Sequence, residues 1–204
     1  SELVAGWGNL VNRTASMIHK RFGEIPQPGE LTDDDRALLD AVEAGFDEVG
    51  SLIRTHHQKA ALGQAMHLVG LANKYVTDQA PFKLKAEEER PRLATILWTL
   101  AQVVSDLNIM LSPFLPHSAN DVDTVMGGEG TIAPMPRIDE VEDLDVTNED
   151  GSPRRYPILT GDYTHVPEWK RHDIEVGRPI AKPAPVFRKL DDAIVDEELE
   201  RAQA

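Results

Sequence analysis

The chain has 204 residues, 35 acidic against 21 basic, a net charge of −14 and no cysteine. Without cysteine there is no disulfide framework, no zinc ribbon or knuckle and no thiol nucleophile. A hydrophobic share of 41% suffices for a packed core, while a mean hydropathy of −0.35 and no apolar run approaching the roughly 18 residues of a membrane span argue against a bilayer crossing. The acidity also opposes broad nucleic-acid binding, which relies on many cations at phosphates, so any such contact must be local.

Residues 1–116 carry 11 basic and 15 acidic side chains, a net −4, and residues 117–204 carry 10 and 20, a net −10. The chain opens at Ser1 with no charged leader or apolar signal core, and reads as a piece of something longer. Leu3, Trp7, Leu10, Val11, Met17 and Ile18 form one apolar helical stripe, closed by Gly23 and stopped by Pro26 and Pro28. A second helix is predicted from Thr32, an N-cap followed by three aspartates that suit the positive helix end, with Leu38, Leu39, Val42, Phe46, Val49 and Ile53 as its stripe. A third runs from about Gln58 to just before Pro81. A fourth carries Leu93 through Leu111 and breaks at Pro113, and a shorter fifth follows Pro116 to about Met126.

Long helices with short links predict an all-α antiparallel bundle over residues 1–126. Residues 127–204 are read as an acidic irregular segment in which Asn148, Asp150, Gly151 and Pro153 are turn formers, with a short strand pair from Tyr156 to Tyr163 around Gly161, then a Pro-rich arm and a final helix from about Asp191 to Arg201. Such an arm cannot hold itself together and must dock on the bundle or on a neighbouring domain outside this chain.

The signatures of phosphate-binding loops, serine nucleophile elbows and zinc proteases are absent from the sequence. Gly127, Gly128 and Gly130 read as a turn. His56 and His57 point about 100° apart on a helix and mark a junction rather than a metal site. Asp121 and Asp123 lack the remainder of a calcium loop. No catalytic residue and no metal ligand is expected. Two places are less bland. Asn9 and Arg13, four apart on the polar side of the first helix, can together reach a base edge, although on spacing alone a solvated face is the simpler reading. After the third helix, Pro81 fixes the chain and presents Phe82 amid Lys74, Lys83, Lys85, Arg90 and Arg92, diluted by Glu87, Glu88 and Glu89. An aromatic among cations can stack a base while the cations hold phosphates; the alternative is a staple packed into the bundle.

Gly8-Asn9-Leu10-Val11-Asn12-Arg13-Thr14 resembles the first anticodon-domain helix of methionyl-tRNA synthetases, and Ala72-Asn73-Lys74-Tyr75 through Gln79-Ala80-Pro81-Phe82 resembles their Asn-Lys-Tyr to Pro-Trp motif. Leu111-Ser112-Pro113-Phe114-Leu115-Pro116 is similar to the family's bundle end, and Pro183 through Asp191 to its carboxy-terminal tail. The resemblance implies a class I synthetase without its catalytic domain, whose signatures are not in this chain. It implies that Asn9 and Arg13 contact the CAU anticodon, that Phe82 stacks on a base, and that Pro81 places the ring, with Lys74, Lys83 and Lys85 as candidate phosphate contacts. Phe82 replaces the family's usual Trp, which keeps a π face and loses the indole donor. The implied partners are the anticodon loop of methionine tRNA and the absent catalytic domain, in a cytoplasmic monomer with no membrane contact; ATP and Mg2+ serve the parent enzyme and no cofactor is expected here. The competing readings are an acidic helical scaffold for a basic protein, and the anticodon domain of a related synthetase for Ile, Val, Leu or Cys.

Overall fold

The structure is a computed structural model that describes residues 3–161, 167–187, 194, 199 and 201. A π-helical turn, Leu3–Gly8, leads into α1 (Asn9–Arg21), whose buried face is Leu10, Val11, Thr14, Ala15 and Ile18. Gly23, at φ 79, closes that helix. α2 (Asp33–Arg54) starts with a capping box in which the Thr32 hydroxyl accepts from the Asp35 N–H and the Asp35 carboxylate accepts from the Thr32 N–H. The His56–His57 junction, with His56 at φ 63, turns the chain into α3 (Gln58–Gln79). Glu48 meets Gln64, Asp35 meets Tyr75 and Asp34 meets Gln79, pairings that spread symmetrically from the junction and make α2 and α3 antiparallel.

α4 (Arg90–Leu111) is the centre of the bundle and touches α1, α2, α3 and α5 (Pro116–Val125). Contrary to the expectation that no apolar run approaches a membrane span, the stretch Glu87–Leu111 is long and apolar enough to cross one, with a hydropathy of 1.4; 89% of its most apolar window is buried inside the protein, as befits a core helix. The all-α bundle expected over the first part of the chain is thus present, helix by helix.

The acidic stretch differs from expectation. Arg137–Thr147 (β1) and Pro153–Thr160 (β2) form an antiparallel hairpin, in register from Arg137 opposite Thr160 to Glu142 opposite Arg155. Its turn is not at Gly161 but at Asn148–Ser152, among the expected turn formers Asn148, Asp150 and Gly151, where Gly151 adopts φ 81 and the Asn148 N–H donates to the Ser152 carbonyl at 2.8 Å. Nearly every β2 residue is exposed, so neither face selects an alternating apolar pattern, and the period that would announce a strand is missing.

The arm docks on the bundle. Arg171 Nε donates to buried Asp106 of α4 at 2.8 Å and its Nη1 to Glu43 of α2 at 2.6 Å. Burial pushes the Asp106 carboxyl up, and the contacts from Arg171 and Gln102 only partly offset that. Trp169 donates from Nε1 to the Phe46 carbonyl at 2.7 Å. Its indole lies so close to Gly50 that a β-carbon there would stand 2.6 Å from Nε1. Ile180 is buried and donates its N–H to the Gly23 carbonyl at 2.9 Å. Of the expected final helix, Ile194, Leu199 and Arg201 are helical and the rest lies outside the described residues.

One buried carboxylate ties three helices together. Asp35 is 0% exposed and accepts two bonds from Arg92 of α4, Nη1 to Oδ2 at 2.5 Å and Nη2 to Oδ1 at 2.9 Å. It also accepts from the Tyr75 hydroxyl of α3 and from the Thr32 N–H at 2.8 Å. Arg92 Nη2 donates in addition to Gln79 Oε1 at 2.7 Å. Burial pushes the Asp35 carboxyl up, but hydrogen bonds from Arg92, Tyr75 and Thr32 outweigh it and hold the group at about 2. Burial and then the Asp35 carboxylate push the Tyr75 phenol up, so it remains a donor.

Asp35→Asn is expected to cost about 3–5 kcal/mol in urea unfolding, because it strips a partly buried Arg92 of its counter-ion. The folded value of Asp35 is depressed, so its stabilisation is fully present above an unfolded value of about 4. It is lost as the pH falls towards about 2. An acid titration of stability should show that limb in the wild type and lack it in Asp35→Asn.

Candidate nucleic-acid interface

Backbone constraints shape the segment that carries Phe82. α3 ends at Gln79, and Ala80 turns into the left-handed region at φ 43, ψ 53. Pro81 is buried and opens a single 3-10 turn, Pro81–Lys83, in which the Lys83 N–H donates to the Ala80 carbonyl at 2.9 Å. Left-handed geometry costs a residue with a β-carbon about 1–2 kcal/mol. It is sustained here because Gln79 is clamped by Arg92 on one side and Pro81 is buried on the other. The outcome is that Phe82 is thrown outward and stands 50% exposed, which sets aside its reading as a staple within the bundle.

α1 supplies the facing residues. The Arg13 guanidinium carbon lies 6.0 Å from the Phe82 ring centroid, at the outer range of a cation–π contact. Asn9 is exposed one turn earlier, on the same side of the helix as Arg13. Two segments nearly seventy positions apart therefore place an aromatic face, a guanidinium fork and an amide on one surface. Lys83 and Lys85 are exposed beside them. The nearby glutamates are partly engaged: Glu89 accepts the Lys85 and Ala86 N–H groups at 2.8 and 2.9 Å, and Glu87 lies 4.0 Å from Arg90.

Not every cation near Phe82 in sequence is free to meet a phosphate. Lys74 pairs with Asp78 and lines a cleft with Asp34 and Leu38 of α2, an acidic setting that does not suit a phosphate. Arg92 is committed to Asp35 and Gln79. Arg90 covers the Phe22 ring at 4.4 Å, near the far end of α1. Asp35, Tyr75, Gln79 and Arg92, none of which reads from the sequence as a support, brace the turn that presents Phe82. The available signal was a polar or charged residue at otherwise apolar helix positions.

No protein-family model matches the chain. Over 203 residues it is 57% identical to the methionine–tRNA ligase of Nocardioides sp., a match that spans 100% of this chain and 33% of that protein. The methionine–tRNA ligase of Beutenbergia cavernae is 54% identical over 206 residues, 100% of this chain and 32% of the relative. The chain thus spans about a third of the length of the curated relatives it matches. In fold it is similar to the apo methionyl-tRNA synthetase of Mycobacterium tuberculosis, with a TM-score of 0.69 at 24% identity over 94% of this chain and 33% of that one.

The left-handed turn is open to a direct test. Ala80→Gly should keep or raise thermal stability by up to about 1 kcal/mol, since glycine adopts this geometry freely. Ala80→Val should lower stability by about 1–3 kcal/mol, because a β-branched residue is strained there.

Proposed function

The chain is homologous throughout its length to the carboxy-terminal part of methionine–tRNA ligases, and on that premise we propose that it reads the CAU anticodon of methionine tRNA. The observation that carries the reading is the meeting of Arg13 and Phe82 across 6.0 Å, with Asn9 alongside. Anticodon bases are splayed from a loop and can be recognised by stacking and by hydrogen bonds on their exposed edges. One base stacks on Phe82, which Pro81 holds outward. Arg13, which only donates, and Asn9, which donates and accepts, read base edges. Lys83 and Lys85 hold phosphates of the loop; Lys74, already paired with Asp78, is the weakest of the three candidates.

We take residues 1–126 as the reading bundle and 127–204 as the segment that straps it and faces the remainder of the parent protein. Methionine activation with ATP and Mg2+, and transfer to the tRNA, belong on this proposal to sequence outside the chain. The parent acts in the cytoplasm as a monomer.

Fluorescence titration with a tRNA bearing CAU and the same tRNA with an altered anticodon, at two salt concentrations, tests the proposal. The wild-type chain should prefer CAU, and the preference should survive added salt better than the overall affinity does, since salt screens phosphate contacts. Phe82→Ala should weaken binding by about 1–3 kcal/mol. Arg13→Ala should lose a similar amount on the CAU tRNA alone, about 1–3 kcal/mol for a base-edge contact. Equal losses on both tRNAs would make Arg13 a phosphate contact. Unchanged binding by a folded Phe82→Ala chain would refute the assignment.

A further inference from the structure

Asn9 follows directly on an unusual piece of backbone. Leu3–Gly8 is a π-helical turn, and no side chain caps the start of α1. Such turns are rare and cluster at functional sites, so what holds this one bears on where Asn9 points. Two neighbours do. From α3, Asn73 Nδ2 donates to the Gly6 carbonyl at 3.2 Å and to the Val69 carbonyl at 3.0 Å.

The other neighbour is the Pro-rich arm. At the far end of α1, Ile180 donates its N–H to the Gly23 carbonyl at 2.9 Å, and its own carbonyl accepts from His19 Nδ1 at 2.8 Å. Seven residues later, Phe187 lies against Gly8, so closely that a β-carbon on Gly8 would stand 2.8 Å from Phe187 Cδ2. Seven residues of extended chain reach about 23 Å, and the α1 segment between Gly8 and Gly23 rises about 22 Å as helix. The arm therefore runs antiparallel along the whole of α1, anchored at both ends. Gly8 is what admits the ring: its backbone is ordinary helix at φ −60, and only the missing side chain leaves room.

We infer that Phe187 is a positioning residue for anticodon reading: seated on Gly8, it fixes the π turn and the start of α1 so that Asn9 lines up with Arg13 before Phe82. The inference rests on the proposed function above. Phe187 acts through α1 and not by touching the RNA, which separates it from Asn9, Arg13 and Phe82. It also gives the arm a part in recognition beyond strapping the bundle.

The same two-tRNA titration, run on Phe187→Ala and Phe187→Leu chains, tests it together with amide hydrogen exchange over residues 3–9. Phe187→Ala should weaken CAU binding about five- to tenfold, the scale of one lost packing contact, leave the altered anticodon unaffected, and speed exchange at the π turn without RNA present. Phe187→Leu, which keeps an apolar group on Gly8, should recover most of the loss. If Phe187→Ala does not fold, Gly8→Ala lifts the ring while leaving the arm intact, and should produce the same selective loss. A folded Phe187→Ala chain that keeps the CAU preference of the wild type, or keeps slow exchange at 3–9, overturns this inference alone. A wild-type chain with no preference for CAU overturns the anticodon reading and this inference with it.

Discussion

A carboxylate sealed from water is costly unless its charge is matched and its lone pairs are filled, and Asp35 meets both conditions with groups from three helices. Arg92 brings the charge in a two-pronged contact, Tyr75 a hydroxyl and Thr32 a backbone N–H. Because Arg92 also grips Gln79, the ionic contact between α2 and α4 extends to the last residue of α3, immediately before the left-handed turn. The exposed ring at Phe82 is thus supported by a network that is rooted in the buried Asp35 and reaches outward through the partly exposed Arg92 and Gln79. Loss of any partner would leave the others desolvated and unsatisfied, which is why the arrangement behaves as a unit.

The charge of the chain looks different once it is mapped. The bundle residues carry a modest excess of acid and the later residues most of it, several of them on the exposed hairpin strand Arg137–Thr147. Along the chain on either side of Phe82 several acids are already occupied: Asp78 by Lys74, Glu89 by backbone N–H groups, Glu87 by Arg90. A surface that recognises a few unstacked bases needs shape and donors more than a broad positive field. This asymmetry of formal charge is compatible with a narrow reader and ill-suited to a general binder of nucleic acid.

Much of the bundle is legible in the sequence because each helix announces itself by a 3.6-residue stripe and by its stops: Gly23, the Thr32 cap, the His56–His57 junction, Pro81, and Pro113 with Pro116. The chemistry of Asn9, Arg13 and Phe82 is legible by residue type and by resemblance to a family. Their convergence is not, since it depends on how α1 packs against the end of α3. The same limit explains the cations: Lys74, Arg90 and Arg92 are neighbours of Phe82 along the chain, yet each is engaged by another partner, Asp78, the Phe22 ring and Asp35 in turn. Asp35 reads as one of three acids at a helix start, and its place three and four positions before the apolar Leu38 and Leu39 is the one local hint that it points inward. The hairpin escapes for another reason, as strands exposed on both faces carry no apolar alternation.

The arm's anchors also set an order of events. Trp169 bonds to Phe46 across 123 positions and Ile180 to His19 across 161, whereas the capping box and the α2–α3 pairings join residues much closer along the chain. Closing long loops is entropically slow, and a nascent chain emerges amino terminus first. The helical stack can therefore assemble while the ribosome is still adding the arm, and α1 receives its outer cover last. Until then the bundle exists with its α1 face uncovered, a stage at which a quality-control protease or chaperone would see apolar surface that the finished protein hides.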